Sequence, residues 1–154
     1  MSDERGVFVR RFDVPKTSID VNGHVNNLEY LRWMQDVATA HSAACGWPFE
    51  RYVATQTSWV VRSHHIEYER PAFAGDGLAV ATWIQAFGAK SSPRRYLFWR
   101  GADRALIAKA ETLWVYVDGR RGSPARIPDE FRSAFDLVTD ETAVLQALAS
   151  GALA

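Results

Sequence analysis

One run of residues, 27–46, decides which class of fold is open to this chain. Leu28, Leu31, Met34, Val37 and Ala38 recur at helical spacing, joined by Tyr30, Trp33 and His41, before Gly46 and Pro48 stop the pattern. The spacing predicts one long, largely buried helix. Beyond Ser58 the texture changes: residues 59–68, 78–87, 95–100 and 106–117 read as strands, each bounded by Gly, Pro, Ser or Asp. Four extended segments in succession imply antiparallel neighbours. A fifth, residues 7–14, precedes the helix and is ended by Pro15, which has no backbone donor. Helix and strands are segregated in the α+β manner, with a curled sheet wrapping the helix. Residues 128–135 and 142–149 read as short helices, while the alanine-rich end, about residues 143–154, is expected to fray.

The chain of 154 residues is the size of one domain, with a core expected over about residues 7–135 and a tail at 136–154. Eighteen basic residues balance eighteen acidic ones, so no global field draws the protein to nucleic acid or to an anionic membrane. No apolar run approaches the roughly 20 residues that span a bilayer, and no signal-type run follows the first residues. With one cysteine, Cys45, there is neither an internal disulfide nor a thiolate framework for zinc, and a cytoplasmic location is expected. One helix covers only part of a five-stranded sheet, so at least a homodimer is expected.

The densest polar stretch lies directly before the helix: Ser18-Ile19-Asp20-Val21-Asn22-Gly23-His24-Val25-Asn26-Asn27. Asn22-Gly23 is a turn signal, Asn26 or Asn27 is a good N-cap, and Glu29 suits the positive end of the helix dipole. Two readings stand side by side. In one, the Asp and Asn residues cap the helix and form Asx-turns. In the other, the N–H of Asn27 or a neighbour donates to a developing oxyanion, and Asp20 attacks a carbonyl or activates a water. His24 and Asn22 would then orient Asp20, position the water or bind substrate. These residues suit acyl transfer, whereas the chain has no Walker-type loop, G-x-G-x-x-G, H-E-x-x-H or G-x-S-x-G. Four histidines and one cysteine also make a metal site improbable.

The segment Asp20-Val21-Asn22-Gly23-His24-Val25-Asn26-Asn27, followed by Tyr30, resembles the motif of the hot-dog-fold acyl thioesterases. The similarity is to the 4-hydroxybenzoyl-CoA thioesterase-like group and to the plant acyl-ACP thioesterases. Ile66-Glu67-Tyr68-Glu69-Arg70-Pro71 with Gly75-Asp76 adds a second match. Residues 110–118 with Gly119-Arg120 and Ile127-Pro128 add a weaker third, so that the resemblance covers roughly residues 7–135. It implies a long central helix wrapped by a curved antiparallel sheet of about five strands. It also implies a homodimer, or a tetramer built as a dimer of dimers, with active sites between chains.

By the same resemblance Asp20 is the nucleophile or general base, the N–H near Asn27 polarises the thioester carbonyl, and Asn22 and His24 assist. The plant enzymes carry a further acid on the next strand, and Pro71 stands in its place here, which favours the simpler machinery of Asp20 plus helix terminus. The implied activity is hydrolysis of an acyl-CoA to a carboxylic acid and free coenzyme A, with no cofactor. Three alternatives stay open: a non-catalytic acyl-thioester-binding protein, an acyl-ACP thioesterase, and a hydroxyacyl-thioester dehydratase working through Asp20 and His24.

Further residues are candidates for holding substrate. Lys90, Arg94 and Arg95 bracket Ser91-Ser92-Pro93, read as a turn, where their charges suit the phosphates of coenzyme A. A solvated hairpin is the plainer account of them. His64 and His65 are neighbours in a strand, so one faces inward and either could line a pocket; His65 joins Tyr30 and Trp33 among the expected contacts. Trp33, Trp59, Phe73 and Trp83 are possible walls of an apolar acyl tunnel, or simply core.

Overall fold

The expected long helix forms as α1 (Asn27–Ala44), about 27 Å long at 1.5 Å per residue. Asn26 is the N-cap, its side-chain oxygen accepting the Leu28 N–H at 3.0 Å and so satisfying one of the donors that a helix start leaves open. At the other end Gly46 turns the chain away with φ +91°, a conformation that costs a residue without Cβ little. Tyr30, Met34, Val37, Ala38 and His41 are buried, whereas Leu28 is 69% exposed. Laid out at 100° per residue, Leu28 falls well off the stripe centred near Met34.

This computed structural model describes residues 4–153; residues 1–3 and Ala154, the last residue of the alanine-rich end, lie outside the described residues. The strands are β1 (Phe8–Asp13), β2 (Thr57–Tyr68), β3 (Gly77–Ile84), β4 (Ser91–Arg100), β5 (Ala105–Asp118) and a two-residue β6 (Ser123–Pro124). Every pairing is antiparallel, in the order β1-β3-β4-β5-β2, with β6 beside β5. Five long strands thus form the curled α+β sheet that the hot-dog resemblance implies. Three short helices complete the chain: α2 (Phe49–Thr55), which the sequence reading missed, α3 (Asp129–Arg132) and α4 (Glu141–Ser150).

Alternation along the strands sorts the apolar residues onto two faces. Leu78, Val80, Tyr96, Phe98, Ala108 and Ala110 pack with α1 on the inner face. On the outer face Ala79, Ala81, Trp83, Leu97 and Trp99 pack with Val144 and Leu148 of α4. A third cluster, including Trp47, Ile84, Tyr116, Ile127, Phe131 and Phe135, fills the end of the sheet where α1 finishes. No helix among the described residues is long and apolar enough to cross a membrane.

Two expectations need correcting. The alanine-rich end does not fray through residue 150: Asp140 caps α4 by accepting the Ala143 N–H at 3.0 Å, and Arg95 holds Glu141 at 2.7 Å. Small residues let this helix lie close to the sheet while Val144 and Leu148 bury their side chains. The supposed turn at Ser91-Ser92-Pro93 is the first part of β4. Pro93, third in β4, pairs with Leu113 of β5 and still accepts the Gln85 N–H at 3.0 Å just beyond the β3 register that begins at Arg94, so its missing donor is the one ladder bond lost.

If docking of α4 holds the outer layer together, Leu148→Ala should cost about 2–4 kcal/mol and lower Tm by roughly 5–15 °C in thermal unfolding. An unchanged Tm would show that the helix contributes nothing to stability.

Candidate active site

The polar segment before α1 folds as a tight, tethered loop. After a 3-10 turn at Lys16–Ser18, Ile19 and Val25 form an antiparallel bridge that closes the loop at its base. Inside it the Asp20 N–H donates to His24 O at 2.9 Å, the Gly23 N–H to Asp20 O at 3.1 Å, and the Asn22 N–H to Asp20 Oδ1 at 2.8 Å. That last bond is an Asx-turn, made possible by Gly23 at φ +85°. The loop is tied down by the Asn26 N–H on Ser18 O at 2.8 Å and the Val25 N–H on Ala72 O at 2.9 Å. The segment 70–76 beneath it is pinned by Arg100, which donates to Pro71 O, Asp76 and Asp103 at 2.8–3.0 Å.

These bonds set the chemistry on offer. Asp20 uses Oδ1 in the turn, and Oδ2 has no partner among the described residues. The half-buried His24 packs edge-on against Phe73 with ring centroids 6.2 Å apart. Asn22 and Asn27 are exposed, and Asn27 is the first residue of α1, where backbone N–H groups carry the positive end of the helix dipole. The loop therefore gathers Asp20, Asn22, His24 and Asn27 at one helix terminus. The capping reading and the catalytic reading are compatible, because the cap is Asn26 and the Asx-turn leaves half of the Asp20 carboxylate available.

The expected substrate-binding residues scatter. Tyr30 is buried in edge contacts with Trp33, Tyr68 and Phe98, and burial pushes its hydroxyl up to about 12. Trp33 packs between Phe12 and Phe98. His65 is exposed on β2, 3.8 Å from Glu67, whereas its neighbour His64 bonds the buried Thr112 hydroxyl at 2.8 Å. Lys90, Arg94 and Arg95 do not form one phosphate cradle. Because residues 91–93 are strand, alternation sends Arg95 outward to Glu141 and Glu111 and Arg94 into the core, with Lys90 exposed ahead of the strand. Of the proposed tunnel walls only Trp59 lines a cavity; Trp83 lies under α4.

That cavity, of about 580 Å³, lies at the other end of α1. Its walls include the rings of Trp47, Tyr52, Trp59, Trp114 and Phe131 together with polar side chains such as Ser42, Thr57 and Arg120, and the exposed Phe49 and Val53 of α2 also line it. Gln56, in the left-handed region at φ 55°, ends α2, and its carbonyl receives the Gly119 N–H at 2.8 Å. A Cβ at residue 119 would meet that carbonyl at 2.9 Å, so glycine permits the closure that seats α2 over the sheet.

Arg94 lines the same cavity although only 5% exposed. Its Nη1 donates to Thr82 Oγ1 at 3.1 Å and to His41 Nδ1 at 2.8 Å. On the far side of the ring His41 Nε2 faces Glu4 O. A carbonyl only accepts, so the proton is on Nε2 and His41 is neutral; burial, then the Arg94 charge, lowers its pKa to about 3. The sequence reading missed Trp47, Tyr52 and the inward turn of Arg94.

Residues 5–135 match the family model of the acyl-ACP thioesterase N-terminal domain. The chain is 23% identical over 136 residues to a chloroplastic palmitoyl-acyl carrier protein thioesterase of Gossypium hirsutum, covering 84% of this chain and 33% of the relative. Thus it spans about a third of the length of such plant relatives. Long-chain acyl-CoA thioesterase FadM of Escherichia coli (strain K12) is 25% identical over 118 residues, which is 77% of this chain and 89% of FadM. A solved 1,4-dihydroxy-2-naphthoyl-CoA thioesterase from Synechocystis shares the fold, with TM-score 0.77 and 19% identity over 84% of this chain and 95% of that one.

Neutral, buried His41 has a consequence for acid stability. The unfolded chain protonates it near the ordinary value of 6.5 and the folded one only near 3, so the folded state binds fewer protons between these values. Its contribution is complete above about 6.5 and declines as pH falls toward about 3, at up to about 1.4 kcal/mol per pH unit. Urea unfolding at a series of pH values should show a shallower decline for His41→Gln, which can still accept from Arg94 and donate to Glu4 O. Identical slopes in the two proteins would refute the assignment.

Proposed function

The chain belongs to the acyl-ACP thioesterase family, whose model it matches over residues 5–135, and on that premise we propose that it hydrolyses acyl thioesters, with acyl-CoA as the first substrate class. One observation carries the mechanism: the Asx-turn fixes Asp20 beside the N-terminus of α1 with Oδ2 left without a partner among the described residues. Asp20 takes a proton from a water, or attacks the carbonyl itself to give an anhydride that water then opens. Along either route a C–O bond forms, the C–S bond breaks, and the proton ends on the departing thiolate, giving a carboxylic acid and free thiol. The N–H at Asn27 stabilises the oxyanion, aided by the helix dipole. Asn22 and His24 flank Asp20 in the loop and bind or orient substrate.

The working unit is a homodimer. Strand β2 is an edge of the sheet, twelve residues long, and has β5 as its neighbour on one side. Exposed apolar side chains gather near both of its ends: Phe49, Val53 and Val60 toward the start, Tyr68, Phe73, Val21 and Leu28 toward the finish. Antiparallel pairing of two β2 edges about a twofold axis brings the start of one strand to the finish of the other. The exposed apolar groups then cover each other, and the Asp20 loop of one protomer comes alongside the cavity of its partner.

Purified protein incubated with short, medium, long-chain and aryl acyl-CoA thioesters should release free thiol, and Asp20→Asn should lower turnover about 10²- to 10⁴-fold with the fold intact. Full activity in the variant would refute the assigned role of Asp20. Silence across the panel, with acyl carrier protein thioesters silent too, would point to an acyl-binding protein instead. Light scattering should give at least twice the chain mass of 17.3 kDa; a monomer would remove the shared site.

A further inference from the structure

The chain places a positive charge in the lining of the cavity beyond the end of α1, and no carboxylate is among the residues that line it. Arg94 is 5% exposed, and its two bonds to the described residues go from Nη1 to neutral acceptors, Thr82 Oγ1 and His41 Nδ1. Its Nε and Nη2 donors have no bond to the described residues, and no described carboxylate pairs with it. Two buried tyrosines, Tyr96 and Tyr52, are among the groups that act on it, and burial raises the pKa of both hydroxyls. Two further donors belong to the same lining. The indole N–H groups of Trp47 and Trp59 are buried without an acceptor in bonding geometry, although the Tyr52 hydroxyl lies near Trp59. A cavity that sets Arg94 and a buried indole N–H among aromatic rings, with no carboxylate in its lining, is complementary to an organic anion with an apolar body.

We propose that this cavity receives the far end of the acyl group and that this end carries a carboxylate, so that the substrates are ω-carboxyacyl thioesters. The inference rests on the thioesterase reading of the Asp20 loop. A carboxylate fits better than a hydroxyl or a methyl for two reasons. It supplies the missing counter-charge in a place shielded from water, and its two oxygens match the planar fork of a guanidinium. The methylene or aryl body would lie against Trp47, Trp59, Trp114 and Phe131. The reacting carbonyl would emerge toward the edge by α2, where the partner's Asp20 loop is proposed to lie. Burial lowers the pKa of Arg94 from its ordinary value, the direction expected of a guanidinium held without a carboxylate.

Binding can be separated from hydrolysis with amides, which the enzyme does not turn over. Calorimetry on the intact protein would compare mono-N-methylamides of a series of straight-chain dicarboxylic acids with N-methylamides of methyl-ended fatty acids of equal length. The wild type is expected to bind the carboxylate-ended member about tenfold more tightly at its preferred length, and Arg94→Met to abolish that preference. Equal or weaker binding of the carboxylate series at every length overturns the proposal, as does a preference that survives in Arg94→Met. Should that variant not fold, Arg94→Lys and Trp47→Phe replace it, and full retention of the preference in both is equally fatal. The two readings fail differently. Thiol release that depends on Asp20 but ignores the acyl terminus keeps the thioesterase and discards the carboxylate, whereas Arg94-dependent binding without thiol release does the reverse.

Discussion

Holding an 18-residue helix against one face of a sheet, from its cap to its last turn, is the constraint on which the rest of this structure depends. The stripe from Tyr30 to His41 fixes the rotation of α1, and the strands fix its height. Its start then has to project the loop that follows Ser18, and its end has to meet the sheet where β3 finishes and β4 begins. Apolar contact holds the first half of the helix. At the second half the grip is polar: Arg94 from β4, Thr82 from β3 and His41 from α1 form one buried set of bonds. A neutral histidine that accepts from Arg94 Nη1 and faces a carbonyl has both ring nitrogens satisfied without a second charge.

The parts legible in the sequence are those whose cause is local. Asn22-Gly23 demanded a turn, Asp20 could bond two residues onward, and Asn26 stood one residue before an apolar period, so the loop and the start of α1 followed from chemistry within a few residues of each other. The strands followed from alternation for the same reason. Arg94 was lost because Ser91-Ser92-Pro93 carries every mark of a turn, whereas pairing with Val115, Trp114 and Leu113 of β5 makes those residues strand. With the strand start moved, the inward and outward assignment of three charged residues moved too. Helix α2 was hidden by its length: seven residues between Pro48 and Gln56 are too few to show a period. Helix α4 itself was legible at residues 142–149, and what the alanine-rich composition hid was its docking on the sheet through Val144 and Leu148.

Within one chain the Asp20 loop and the aromatic cavity are too far apart to share a small substrate. From Asn27 to Ala38, which lines the cavity, is about 17 Å along α1. A chain that hydrolysed its substrate alone would need an acyl group threaded through the packed inner face, past Met34 and Phe98, both fully buried. The proposed antiparallel joining of β2 edges would remove the difficulty, since a twofold axis exchanges the two ends of the strand, and it would make the exposed apolar side chains at those ends part of the same site as the Asp20 loop.

The absence of a described carboxylate beside Arg94 is the feature on which the proposed specificity of the cavity depends. Had an aspartate stood at residue 82 or 41, the buried charge would be paired, the guanidinium would be closed off, and the aromatic walls would favour any apolar tail equally. Threonine and histidine instead position Arg94 from one side through Nη1 and leave its other donors to the cavity. The charge is costly to bury in that state, and the cost is offset by neutral acceptors and by the packing of the surrounding rings rather than by an ion pair. A ligand carboxylate then gains the whole of an electrostatic interaction that no internal partner has already used. On the proposed reading, selectivity for an anionic tail would arise from the donors left unpaired at one end of α1, just as reactivity would arise from the Asp20 carboxylate oxygen left without a described partner at the other.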